Sequence, residues 1–90
     1  MTIQIWVFND PDSKFPGGVF ADKEIAVKWI MVHKLTGVLT LYPVNEGVYD
    51  WAIKEGIFRV SKEKEKTPGF IGGFSTAAQE HYHYADGMPD

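Results

Sequence analysis

The segment Gln79-Glu80-His81-Tyr82-His83-Tyr84 holds the sharpest chemical pattern in the chain. On a strand, residues two apart share a face, which would set the imidazoles of His81 and His83 close enough to grip one metal ion. Asp86 is the expected third ligand, with Glu80, or His33 brought in by the fold, as alternatives. The competing reading makes Gln79, His81 and His83 the solvated face of an edge strand whose Tyr82 and Tyr84 pack inward. His-x-His has low specificity, and no further ligand stands at a diagnostic spacing. Both readings stay open: a divalent transition metal at His81, His83 and Asp86, or no cofactor.

Other chemistry finds less support. Gly17-Gly18 and Gly72-Gly73 match neither a Walker loop nor a dinucleotide fingerprint, and neither precedes a basic residue placed to hold phosphate. Ser13, Ser61 and Ser75 are the only serines, and none sits in a nucleophile elbow. Asp50 beside Trp51 reads first as an exposed acid in a first helical turn, favoured by the helix dipole, and only second as a carboxyl against an aromatic wall. Catalysis is not expected. Aromatic residues reach 14%, and Trp6, Phe8, Tyr42 and Trp51 are candidates for a partner surface or ligand pocket.

The elements that position these residues follow from patterning. Ile3–Phe8 is a β-prone run with no polar face, predicting an interior strand with Ile3, Ile5 and Val7 toward the helices and Trp6 and Phe8 on the opposite side. Turn formers at 9–13 and a return strand over 15–20 make a loose hairpin. Asp22 as N-cap and Glu24 in the first turn start a helix over 22–34, with Ile25, Trp29 and Val32 as its buried stripe and Gly37 closing it. A buried Trp29 implies a cost of about 3–5 kcal/mol on truncation to alanine. Val38–Tyr42 is a strand ended by Pro43. Asn45 caps a shorter helix through Tyr49, Trp51, Ala52 and Ile53, and Ile57–Val60 is a short strand. Residues 61–67 form an exposed charged loop. Thr76–Gln79 has capping-box spacing, 79–84 is the last strand, and 86–90 is a frayed tail.

This order predicts one α+β domain over 1–90, with a small, mainly antiparallel sheet of three to five strands and two helices packed on one face. Ninety residues leave no room for a second core of ordinary size. Net charge is −3, against a general nucleic-acid or anionic-membrane binder. The chain has no cysteine, which excludes disulfides and thiol chemistry and favours a cytoplasmic setting. The start resembles no signal peptide, and no apolar run approaches the ~20 residues a membrane span needs.

Trp6-Val7-Phe8-Asn9, Gly18-Val19-Phe20, Leu35-Thr36-Gly37 with Leu39-Thr40 and Tyr42-Pro43, Tyr49-Asp50-Trp51-Ala52-Ile53 and His81-Tyr82-His83-Tyr84 together resemble a family of small bacterial proteins of unknown function. The resemblance runs from Ile3 to Gly87 and implies a shared fold and a bacterial setting, with no activity attached. Three readings stand. The first is a small acidic cytoplasmic interaction module of inhibitor, immunity or regulatory type, monomeric or homodimeric, which acts by occupying a protein partner's surface. The second is a metal-binding protein using His81 and His83. The third is a small ligand-binding domain with an aromatic pocket lined by Trp6, Tyr42 and Trp51.

Overall fold

Bulky apolar residues with strong β preference make Gln4–Asn9 an extended strand, β1. The computed structural model describes residues 3–90. Gly18–Phe20 (β2) returns antiparallel to β1, with Trp6 opposite Phe20 and Phe8 opposite Gly18. Gly37–Pro43 (β3) pairs on the other side of β1, setting Leu41 beside Trp6 and Leu39 beside Phe8. His81–Ala85 (β4) and Met88–Pro89 (β5) complete an antiparallel sheet in the order β2-β1-β3-β4-β5. The expected α+β class with a small antiparallel sheet is what the chain adopts, and β1 is interior as its two apolar faces require.

Helix α1 spans Lys23–Val32, and its side over the sheet differs from the expected one. Trp6 and Phe8 are 8% and 3% exposed, in one core with Ala26, Ile30, Leu39 and Tyr84. Trp6 and Phe8 therefore face the helix, and the face of Ile5 and Val7 is the far one. The helix also turns a different stripe inward. Ala26 and Ile30 are fully buried, whereas Ile25 and Val32 are 58% and 66% exposed. Trp29 is half-buried, edge-on to Phe8 at 5.6 Å and tilted on Phe20 at 5.3 Å. Small Ala26 lets the helix sit close, and Ile30 one turn later fills the space against Leu39.

The helix ends without Gly37. Lys34 takes the left-handed conformation at φ 53°, while the Leu35 N–H donates to the Ile30 carbonyl and the Lys34 N–H to Met31. These two bonds are a Schellman closure. Gly37 instead opens β3 where it crosses β1. A Cβ there would collide with the Asn9 carbonyl oxygen and come within 2.6 Å of the Phe8 ring. At the other end, Asp22 occupies the N-cap position but makes no side-chain cap bond.

Residues 44–80 leave the sheet between β3 and β4 and build a second cluster. Helix α2 (Val48–Lys54) touches β3 and buries Tyr49 and Ala52. Its N-cap is Gly47, while Asn45, the expected cap, lies in the preceding turn at φ 64°. Tyr49, Phe58, Phe70 and Phe74 pack with ring centres 4.8–6.2 Å apart. Ile57–Val60, expected as a strand, is irregular and delivers Phe58 to this cluster. The 61–67 segment contains a 3-10 turn, Glu63–Lys66, followed by helix α3, Pro68–Gly72, capped by the Thr67 hydroxyl. Thr76–Gln79 is the expected capped turn, with the Thr76 N–H donating to Gln79 Oε1 at 3.2 Å.

The last residues do not form a frayed tail. Asp86 and Gly87 have φ values of 52° and 86°, the positive pair that a two-residue type I′ hairpin demands, and Ala85 pairs with Met88 across it. The turn is anchored to the end of α1 through Gly87 N–H to the Leu35 carbonyl at 2.8 Å and Asp86 N–H to Thr36 Oγ1 at 3.0 Å.

Candidate functional site

Strand alternation places His81 and His83 on the sheet face away from α1, opposite Thr40 and Val38 of β3. Their rings stand edge to face with centres 5.4 Å apart. His81 Nδ1 lies 2.7 Å from the Gln79 carbonyl oxygen. A carbonyl only accepts, so Nδ1 carries the proton and the neutral ring keeps its lone pair on Nε2. The Gln79 side chain is 2% exposed, donates from Nε2 to the Leu41 carbonyl and accepts from Thr76. Its amide locks the 75–79 turn onto the edge of β3 and so fixes the carbonyl that orients His81. Beside it, Val38, Thr40, Tyr42, Ser75, Thr76, Ala77, Gln79 and His81 line a shallow concavity of about 260 Å³.

Asp86, the expected third ligand, belongs to the β4–β5 turn and is not gathered with the histidines. Among the described residues no three His, Asp or Glu side chains form a group able to hold a metal ion. His33 is the C-cap of α1, beside Trp29, and does not join them. Glu80 points to the other face, where its carboxylate accepts the Tyr82 hydroxyl hydrogen bond. That bond holds the Tyr82 phenol above its ordinary range, helped by desolvation. Lys23 of α1 sits over the same ring at 3.6 Å from its centre.

The aromatic candidates do not converge. Trp6 and Phe8 are core residues beneath α1 and offer no surface. Tyr42 is on the opposite face, in the concavity beside His81, and Trp51 is on α2. A pocket lined jointly by Trp6, Tyr42 and Trp51 is not formed, because alternation along β1 and β3 sends Trp6 and Tyr42 through opposite sides of the sheet.

The outer face of α1 was not singled out from the sequence as a surface. Ile25, Lys28, Trp29, Val32 and His33 follow one another at helical spacing and line a shallow groove that opens to solvent. Met31 is also half exposed on this helix. The signal was present as an apolar stripe, but a stripe at that spacing reads first as core. Lys28 and His33 are its polar lining residues, and Glu24 lies beside Lys28 on the adjoining face of the helix. In the 61–66 turn, Glu65 accepts from the Ser61 and Lys62 N–H groups at 2.8 and 3.0 Å, which holds its carboxyl below the usual range.

No helix among the described residues is long and apolar enough to cross a membrane. No curated protein and no solved structure matches the chain. A family model does match, over residues 5–90, and so spans both the sheet with α1 and the whole 44–80 excursion. On that match the chain belongs to the family described as a domain of unknown function, DUF7710.

Proposed function

We propose that the protein is a small, acidic, non-catalytic interaction module of the cytoplasm, an inhibitor or immunity-type or regulatory protein that seats the outer face of α1 on another protein. The observation that carries this reading is the pair Ile25 and Val32, 58% and 66% exposed on either side of Trp29. Ile25, Trp29 and Val32 stand in line on the outer face of α1, the helix that covers Trp6 and Phe8. Contiguous exposed apolar residues with a polar rim are what a protein interface core is made from. Lys28 and His33 along that stripe suit a partner whose apolar groove carries carboxylates. The absence of cysteine supports the cytoplasm, and the net negative charge disfavours nucleic acid as the partner.

The test is a stoichiometric complex. Tagged protein should recover one defined polypeptide in near-equal amount from the organism that encodes it. The same protein carrying Ile25→Asp and Val32→Asp should fold normally and recover none. Equal recovery by both forms would remove α1 from the account.

A further inference from the structure

We propose that the concavity between β3, the start of β4 and the 75–79 turn binds one neutral saccharide ring, either a free sugar or the end of a glycan. This goes beyond the α1 reading and lies on the opposite face of the sheet. The first observation is a set of polar atoms with nothing to bond. Thr40 and His81 are paired across β3 and β4, Tyr42 follows Thr40 on the same face of β3, and Ser75 closes the concavity from the turn. Among the described residues, the hydroxyls of Thr40, Tyr42 and Ser75 and Nε2 of His81 make no hydrogen bond, and none of these atoms is buried. Four uncommitted hydrogen-bonding groups therefore line one hollow.

The second observation is that the hollow is held in shape. His81 Nδ1 donates to the Gln79 carbonyl at 2.7 Å, which fixes the ring and leaves its Nε2 lone pair for an occupant. The turn behind it is cross-braced. The Thr76 N–H donates to Gln79 Oε1 at 3.2 Å, the Gln79 N–H to the Thr76 carbonyl at 3.1 Å, and the Ala78 N–H to the Thr76 hydroxyl at 3.2 Å. Gln79, 2% exposed, ties that turn to the Leu41 carbonyl at 3.3 Å. A site shaped in advance loses less to ordering when it binds.

The third is the chemistry of the lining. It contains no Asp, Glu, Lys or Arg, so an ionic ligand would give up hydration without meeting a counter-charge. Each hydroxyl both donates and accepts, whereas neutral His81 Nε2 only accepts. Their complement is a small uncharged ring bearing several groups that also do both, which describes a saccharide. Val38 and Ala77 offer carbon to the ring's C–H face. At about 260 Å³ the hollow suits one ring and falls below the ~300–1,000 Å³ of sites that enclose larger ligands.

Heteronuclear NMR of the full-length protein, titrated with methyl glycosides of glucose, galactose, mannose and N-acetylglucosamine and with the matching disaccharides, tests this. At least one sugar should move the signals of Thr40, Tyr42, His81 and the 75–79 turn saturably in the millimolar range. Thr40→Val and Tyr42→Phe, each checked for folding by circular dichroism, remove one hydroxyl while keeping shape and should each weaken binding by about 5–10-fold. Ile25→Asp with Val32→Asp should leave it unchanged. A disaccharide that binds more tightly than its methyl glycoside identifies a glycan end, and equal affinities identify a free sugar; both support the site. No saturable shift with any sugar, equal shifts with cyclohexanol, or larger shifts with inorganic phosphate overturns it. Binding that survives Thr40→Val together with Tyr42→Phe does so as well.

Discussion

Two apolar residues of α1, two positions apart, should respond very differently to truncation. Ile30 is fully buried against Leu39, Phe8 and Tyr84, whereas Val32 is 66% exposed. Ile30→Ala removes three buried carbons at about 0.8 kcal/mol each and leaves a cavity that a close-packed core fills only in part. The expected cost is about 3–4 kcal/mol. Val32→Ala removes two methyl groups of which about a third of the area is shielded, at a cost of about 0.5 kcal/mol. For a chain this size, urea unfolding has a slope of about 1 kcal/mol/M, so the Ile30→Ala midpoint should fall by about 3 M and the Val32→Ala midpoint by about 0.5 M. Equilibrium unfolding followed by tryptophan fluorescence reads both. Equal losses, or a larger loss at Val32, would refute the orientation of α1 and return Ile25, Trp29 and Val32 to the core.

Gly37→Ala should destabilise by about 3 kcal/mol, because the Asn9 carbonyl it meets is backbone of an interior strand and cannot step aside; a thermal midpoint within two or three degrees of wild type would contradict that. Gln79→Ala should cost about 2 kcal/mol by leaving the Leu41 carbonyl and Thr76 N–H without their partner, read from the same denaturation curves. Glu65 is held below the ordinary carboxylate range, so its support for the 61–66 turn is complete above that range and is lost as pH falls through its lowered value. Amide exchange at Ser61 and Lys62 should therefore accelerate on acidification and already be fast in Glu65→Ala at neutral pH. Tyr82 is raised by its bond to Glu80, so that bond's contribution is complete below the ordinary phenol range and lost as pH climbs through the raised value. Glu80→Gln should move part of the tyrosinate absorbance curve to lower pH, and an unchanged curve would discount the bond.

Some of this architecture could be read directly from residue order, and the misreadings share a cause. The apolar run of β1, the return at Val19-Phe20, the helix after Asp22 and the alternation through His81-Tyr82-His83-Tyr84 are local patterns, and each forms its expected element. Which face turns inward is a tertiary matter. Ile25, Trp29 and Val32 have the better hydrophobic spacing, but Ala26 allows a closer approach of α1 over Trp6 and Phe8, and Ile30 completes it. The aromatic surface assigned to Trp6 and Phe8 failed with that inversion. Lys34 in the left-handed region carried no glycine signal, so Gly37 was credited with a closure that it does not make. Asp86-Gly87, by contrast, is a strong hairpin signal inside the segment expected to fray, and the residues after it pair back on β4. Of the candidate site residues, the His81–His83 adjacency was legible from alternation alone.

The most direct test of the central claim is site-specific photocrosslinking in living cells. A photoreactive phenylalanine analogue placed at Val32 should trap one predominant partner as a discrete adduct, and the same analogue at exposed Lys64 should trap none. Ile25→Asp in the Val32-labelled protein should abolish the adduct. If Val32 yields no adduct while Lys64 does, or if Ile25→Asp leaves the Val32 adduct intact, then the outer face of α1 is not the contact surface.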